Sequence, residues 1–135
     1  GKKAVYTKYL PGDVTFDTIL LPLDKGQSFS VQTEVIDCGL GKSANSFVLT
    51  LTDTVNNVTK KYYYYHLNDL TSQSVVDIGK YRTDATLMMV EEDEAGNALS
   101  IVLHDATILY DTNSNTTLFS SPVPVNKYEK IFENN

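Results

Sequence analysis

The sequence predicts an all-β fold, an antiparallel β-sandwich or barrel of about eight strands with little helix. Apolar and polar residues alternate with a period of two in several short segments, and turn residues recur about every ten positions. No window places apolar residues at helical spacing over more than about two turns. A chain of 135 residues is expected to form one domain that spans residues 1–135.

Four segments in the N-terminal half carry this alternation between glycine, proline or asparagine signals. They are residues 14–21, 28–35, 46–52 and 59–67. The last two flank the turn-forming residues 53–57, so they predict a β-hairpin. The polar link 68–73 is compatible with a single helical turn.

The C-terminal half predicts a second long hairpin, in which residues 85–90 and 98–110 flank an acidic turn at 91–97. Leu99, Ile101 and Leu103 alternate with more polar neighbours and are expected in the core. Three shorter segments are also predicted as strands. They are residues 75–78, 117–119 and 128–132, the last two separated by Pro122 and Pro124.

Composition and charge exclude several classes of protein. A net charge of −6 and an isoelectric point of 4.7 disfavour nucleic-acid binding, which depends on many Lys and Arg contacts to phosphates. No apolar stretch approaches the roughly 18 residues of a membrane span, and no signal-peptide core begins the chain, so no membrane association is expected. Cys38 is the one cysteine, which rules out an internal disulfide and suggests a small apolar residue near a strand end.

The candidate chemical motifs are incomplete. Residues 39–43 resemble the end of a phosphate-binding loop, but Ile36 stands where that loop needs glycine and a strand follows where it needs a helix. The acidic run 91–94 lacks calcium-loop spacing and is expected to be a solvated turn. His66, His104 and Asp105 belong to no known catalytic pattern. We therefore expect no enzyme activity, no cofactor and no metal.

The most specific feature is a run of four tyrosines with two lysines before it. Successive strand residues point to opposite faces, so alternate tyrosines share a face. Tyrosine is a good strand former, it is enriched at protein interfaces, and it can stack on sugar rings. All three interpretations remain open. The predicted interaction surface consists of Lys60, Lys61, Tyr62, Tyr63, Tyr64 and Tyr65.

These observations favour a non-enzymatic structural subunit that acts through protein–protein contacts, as a homo-oligomer or with other structural subunits. The edges of an antiparallel sheet offer unpaired backbone groups for such assembly. The alternative is a carbohydrate-binding or adhesin module at the cell surface, which uses the tyrosine strand to stack on a glycan.

The segment GNALSIVLHDATI at residues 96–108, the loop PVPV at 122–125 and the closing residues 128–132 resemble the last strands of small β-sandwich structural proteins in tailed-phage virions, of the tail-tube or capsid-accessory type. The resemblance covers about a third of the chain. It implies a homo-oligomeric or lattice-bound subunit without cofactor, located in the virion or in the cytoplasm of the producing cell.

Overall fold

A computed structural model describes residues 2–9, 16–39, 42–67 and 74–132, with side chains for 23–36, 43–67 and 74–132. These residues form ten β-strands and no helix. Eight strands build one antiparallel sheet that is nearly closed into a barrel shape, which confirms the predicted class. The strands are β1 (Lys2–Tyr9), β2 (Phe16–Leu23), β3 (Gln27–Gly39), β4 (Lys42–Asp53), β5 (Val58–Leu67), β6 (Val76–Ile78), β7 (Tyr81–Thr83), β8 (Leu87–Glu92), β9 (Ala98–Asp111) and β10 (Thr116–Ile131).

The strand order of the large sheet is β3-β4-β5-β8-β9-β7-β6, and β10 also pairs with β9. Strand β9 is long enough to pair with two different strands, one after the other along its length. Its first half pairs with β8, from Ala98 to His104, and its end pairs with β7, from Leu109 to Asp111. Strands β7 and β8 therefore follow one another along one side of β9, and β10 occupies the other side. Strands β1 and β2 form a separate two-stranded sheet.

The alternation of buried residues in β9 breaks between its two halves. Leu103, Ala106 and Leu109 are all fully buried, so three positions rather than two separate each from the next. Asp105 has φ 52°, and the Asp84 carboxylate accepts hydrogen bonds from the backbone N–H groups of Thr107 at 2.8 Å and Ile108 at 3.2 Å. An extra residue of this kind bends a strand and increases its twist. The sheet curls here, which brings its ends toward each other.

The core fills the inside of this curl. Its largest fully buried side chains include Tyr65, Tyr81, Met88, Ile101 and Leu103, which come from the central strands. Side chains from both edges of the sheet pack against the same cluster, and they include Ile36 of β3 and Phe119 and Tyr128 of β10. Burial of apolar surface from every part of the sheet therefore stabilises the curl.

Several predicted elements are confirmed, and some are wrong in detail. The hairpin formed by β4 and β5 lies where the sequence predicts it, and the predicted strand at 75–78 corresponds to β6. The two C-terminal segments are one strand, β10, whose pairing shifts between Ser120 and Val125 at the two prolines. Leu99 is only half-buried, because the pairing shift between Glu91 and Glu92 moves Ala98 toward the core instead.

Strands β1 and β7 were not predicted from the sequence. Strand β7 has only three residues, too few to show an alternation. The possible helical turn at 68–73 and the start of the strand predicted at 14–21 lie outside the described residues.

We expect Leu103→Ala to lower the free energy of unfolding by about 2–5 kcal/mol, because it removes a fully buried leucine from a closely packed core. Val102→Ala is the matched control, since Val102 lies on the same strand but points to the other, partly exposed face. Its cost should be below about 1.5 kcal/mol. Urea denaturation of both variants checks this, and equal losses would contradict the assignment of the two faces.

Candidate functional site

The tyrosine run is divided between the two faces of the sheet. Tyr65 is fully buried in the core, and Tyr63 contacts Tyr81 edge to face, with ring centroids 5.0 Å apart and an interplanar angle of 82°. Gly79 leaves room for Tyr63, because a Cβ at this position would lie 2.9 Å from Tyr63 Cε1. Tyr63 and Tyr65 thus belong to the core side and stabilise the fold, and only Tyr62 and Tyr64 remain for an outer surface.

Tyr62 and Tyr64 line an apolar groove on the face of the sheet that is turned away from the core. Strand pairing places Tyr64 between Phe47 and Met89 on this face. The groove has a volume of about 370 Å³. We call it the aromatic groove, and its main side chains are Phe47, Leu49, Tyr62, Tyr64, Met89 and Val102.

The aromatic groove has a pair of stacked rings at one end and an exposed methionine at the other. Phe47 and Tyr64 stack across β4 and β5, with ring centroids 4.6 Å apart and planes inclined by 19°. Met89, on the neighbouring strand β8, is 47% exposed. This end of the groove therefore presents apolar surface to solvent beside a stacked aromatic pair.

A salt bridge borders the groove. Lys60 Nζ lies 3.1 Å from Glu91 Oε1, and this hydrogen bond raises the pKa of Lys60 above its usual value despite partial burial. Burial raises the pKa of Tyr62, and the nearby Glu91 carboxylate adds to the shift. Lys60 therefore lies beside the groove. Lys61 is exposed and lies on the same face of the strand as Tyr63 and Tyr65.

The lining of the groove can make apolar contacts and offers few polar ones. Besides the tyrosine hydroxyls, the polar side chains that line it are Glu91 and Ser100. A cluster that could hold a metal ion is not found among the side chains that the structure describes. The arrangement can bind an apolar surface, and it lacks the convergent donors and acceptors that orient a small polar ligand.

Strand β3, at the end of the described strand order, lies beside the groove. In the described part of the chain, the thirteen-residue strand β3 pairs only with β4. Its sequence, QSFSVQTEVIDCG, holds neither proline nor lysine, the residues that commonly protect such edges. By contrast, the opposite edge strand β10 contains Pro122, Pro124, Lys127 and Lys130. Register places Val31 beside Leu49, so the apolar face continues from the groove to strand β3.

The acidic run at 91–94 does not form a solvated turn as a whole, so that prediction is corrected. Glu91 and Glu92 belong to strand β8, and Glu92 is only 2% exposed. Its Oε2 atom lies 2.9 Å from Lys80 Nζ and also accepts a hydrogen bond from the Tyr81 hydroxyl. Burial and this hydrogen bond raise the pKa of Tyr81. Glu92 is therefore buried beside the core, and the positive charge of Lys80 balances its negative charge.

Lys80 holds this ionic cluster together. Its ammonium group lies 3.6 Å from Asp111 Oδ2 and donates to the carbonyl oxygen of Gly96 at 2.8 Å. Burial alone would lower the pKa of Lys80, but the hydrogen bond to Glu92 and the two carboxylate charges outweigh it and raise the pKa. The cluster joins the ends of β7, β8 and β9 and has a structural role.

The two histidines lie on strands that are not neighbours. His66 on β5 and His104 on β9 both pair with Leu87 of β8, which separates them by two strand spacings. Asp105 accepts a hydrogen bond from the Thr86 hydroxyl at 3.2 Å, and its positive φ lies at the bend of β9. The side chain of Cys38 lies outside the described residues. Strand β4 begins at Lys42, where a phosphate-binding loop would need a helix.

No protein family model, curated protein or solved structure significantly matches the chain. In the described part of the chain, no helix has the length and apolar character needed to cross a membrane.

Sequence reasoning identified Tyr62, Tyr64 and Lys60 but missed the other side chains of the groove. Phe47 and Leu49 could have been found, because the register of the predicted hairpin sets them opposite Tyr64 and Tyr62. Met89 and Val102 could not, because they come from strands whose neighbours depend on the order of the whole sheet.

We expect Glu92→Gln to lower the free energy of unfolding by about 2–3 kcal/mol, because Lys80 then loses its nearest charge partner in a largely buried position. Glu94→Gln, on the exposed turn two residues later, should change it by less than about 0.5 kcal/mol. Chemical denaturation at neutral pH measures both. A Glu92→Gln variant as stable as the control would contradict the structural role of the cluster.

The hydrogen bonds of Asp53 predict how the stability of the fold depends on pH in the acid range. Its carboxylate accepts hydrogen bonds from the backbone and side chain of Asn56, from Gln27 and from the backbone of Val55, and these bonds lower its pKa from 3.8 to about 2. A lowered pKa in the folded state contributes stability that is complete above pH 3.8 and disappears as the pH falls through about 2.

Asp53→Asn should therefore be less stable than the parent chain at pH 7, and the difference should shrink as the pH falls from 3.8 toward 2. Thermal unfolding across this range measures the difference. Asp24→Asn, at the neighbouring turn, is the control and should follow the parent curve. A constant difference between Asp53→Asn and the parent chain would show that the hydrogen bonds of Asp53 do not depend on its charge.

Proposed function

We propose that this protein is a non-enzymatic structural subunit that assembles through protein–protein contacts on the aromatic groove. The observation that carries the proposal is the exposed end of the groove, where Met89 and the adjacent tyrosines present apolar surface to solvent. Apolar surface that is rimmed by polar residues is a common feature of protein–protein interaction sites.

The composition of the groove favours a protein partner. Tyr, Phe and Met are enriched at protein interfaces because they give a large contact area, and the two tyrosines add polar tips that can hydrogen bond at the rim. The Lys60–Glu91 pair lies at the border of the patch, where charged residues of an interface usually lie.

A glycan fits the groove less well. Stacking on a sugar needs an exposed aromatic face together with side chains that hydrogen bond to hydroxyl groups. One face of Tyr64 is covered by Phe47, and few polar side chains line the groove. The tailed-phage virion suggested by the resemblance of the C-terminal strands is a setting that such a subunit would suit, and it stays a prediction.

Met89→Lys should weaken self-association about tenfold or more, because it places a charge at the centre of an apolar contact. Val123→Lys is the matched control, since Val123 is 63% exposed on β10, away from the groove, and the same charge there should have little effect. Light scattering over a range of protein concentrations measures both.

The proposal fails if the parent chain stays monomeric at the highest concentration accessible, or if the two variants associate alike. Binding to a glycan array that disappears in Tyr62→Ala and Tyr64→Ala would support the carbohydrate-binding alternative instead.

A further inference from the structure

The ionic cluster around Lys80 holds one amine against two carboxylates. Lys80 Nζ lies 2.9 Å from Glu92 Oε2 and 3.6 Å from Asp111 Oδ2, and each of the three side chains is at most 13% exposed. They come from separate parts of the chain, since Lys80 precedes β7, Glu92 ends β8 and Asp111 ends β9. An amine and a carboxylate held in contact are the two reactants of amide formation, and fixed contact raises the rate of such a reaction.

The carboxyl group of Asp111 is placed to accept the amine. Its Oδ1 atom accepts hydrogen bonds from the backbone N–H groups of Asn113 at 2.9 Å and Ser114 at 3.2 Å, whereas its Oδ2 atom faces Lys80. Two N–H groups on one oxygen stabilise the negative charge that this oxygen gains when a nucleophile attacks the carboxyl carbon. Oδ2 is then the oxygen that departs.

Glu92 is placed to move protons between the reacting atoms. Its Oε2 atom contacts Lys80 Nζ at 2.9 Å, a distance at which a general base can take a proton. The Tyr81 hydroxyl donates a hydrogen bond to the same carboxylate oxygen and fixes its position. Lys80 Nζ also donates to the carbonyl oxygen of Gly96 at 2.8 Å, which orients the amine.

We propose that Lys80 and Asp111 condense spontaneously into an intramolecular isopeptide bond, with Glu92 as the catalytic proton relay. Glu92 takes a proton from the ammonium group, and the neutral amine attacks Asp111 Cγ. The Nζ–Cγ bond forms and the Cγ–Oδ2 bond breaks. Two of the three ammonium protons leave with Oδ2 as water, and Glu92 returns to its carboxylate form. The step needs neither an oxidant nor a co-reactant, and it does not depend on assembly of the subunit.

The fold favours a slow reaction that each molecule completes once. The raised pKa of Lys80 leaves only a small fraction of its amine neutral, which lowers the rate. Fixed contact compensates, because groups held in this way react with effective molarities of up to about 10⁵–10⁸ M. A cleft of about 460 Å³, lined by Lys80 and Asp111 among others, gives the released water a way out.

An ion pair alone is not enough for this reaction. Lys60 and Glu91 lie 3.1 Å apart, but their side chains are 39% and 27% exposed. Water solvates both charges at such a site and leaves the pair loosely held. We therefore expect Lys60 and Glu91 to remain an ion pair, and they serve as an internal control.

The bond would brace the part of the fold that contains the bend of β9. It closes a loop of residues 80–111, which holds β7, β8 and β9. A cross-link of this kind stabilises a fold by restricting the unfolded chain, as a disulfide does. The chain has one cysteine, Cys38, so an internal disulfide cannot supply this brace.

The mass of the full chain, measured after denaturation, tests the proposal. We expect it to be about 18 Da below the mass of the sequence, which corresponds to the loss of one water. Digestion with a protease should release a branched peptide that joins Lys80 to Asp111. The peptides that contain Lys60 and Glu91 should stay separate.

Two variants identify the groups that react. Lys80→Arg keeps the positive charge beside Glu92, but a guanidinium group stays protonated and cannot condense, so this variant should have the full mass of its sequence. Glu92→Gln removes the proton relay and should form the bond about a hundredfold more slowly. Circular dichroism establishes whether each variant is folded, and if Glu92→Gln is not, the parent mass and the branched peptide still decide.

The proposal is wrong if the folded parent chain keeps its full mass after prolonged incubation. Loss of water that persists in Lys80→Arg would show a different modification and would also overturn it. A branched peptide that joins Lys80 to Glu92 would contradict the roles given to the two carboxylates. Light scattering measures assembly independently, so each of these results leaves the proposed function untouched.

Discussion

The bend in β9 is the constraint on which the rest of the structure depends. One strand pairs with β8 along its first half and with β7 at its end, and it can do so because Asp84 binds the backbone N–H groups of Thr107 and Ile108 where the regular ladder is interrupted. The bend curls the sheet around a core that draws side chains from both edges. A flat sheet of this length would leave that core open on one side.

The curl also explains why an apolar surface is left over. Period-two alternation gives every strand two faces, and the inner one is filled by residues such as Tyr65, Met88 and Leu103. The central strands carry apolar residues on the outer face as well, among them Phe47, Tyr64 and Met89. Since the protein's own core cannot use that face, we infer that another molecule does. The proposed assembly function follows from this surplus of apolar surface.

Local pattern in the sequence predicts the strands that are long and regular, and it fails where structure depends on distant residues. The hairpin of β4 and β5 was predictable because alternation and turn residues lie within 22 consecutive positions, 46–67. The burial of Glu92 was not, because Lys80 and Tyr81, which neutralise it and bond to it, come from a different turn. Likewise, alternation predicts that the four tyrosines divide into two pairs on opposite faces. It does not predict which pair faces the core, because that depends on contacts with Tyr81 and Met88 from other strands.

The two methionines of the chain test the central claim most directly, because they are neighbours on β8 with opposite environments. Met88 is fully buried, and Met89 is 47% exposed beside the aromatic groove. Oxidation by peroxide, followed by mass spectrometry, reports the solvent access of each sulfur atom separately. If the groove is an assembly surface, the oxidation of Met89 slows as the protein concentration rises, while Met88 reacts slowly throughout. An oxidation rate of Met89 that is the same at every concentration would contradict the account.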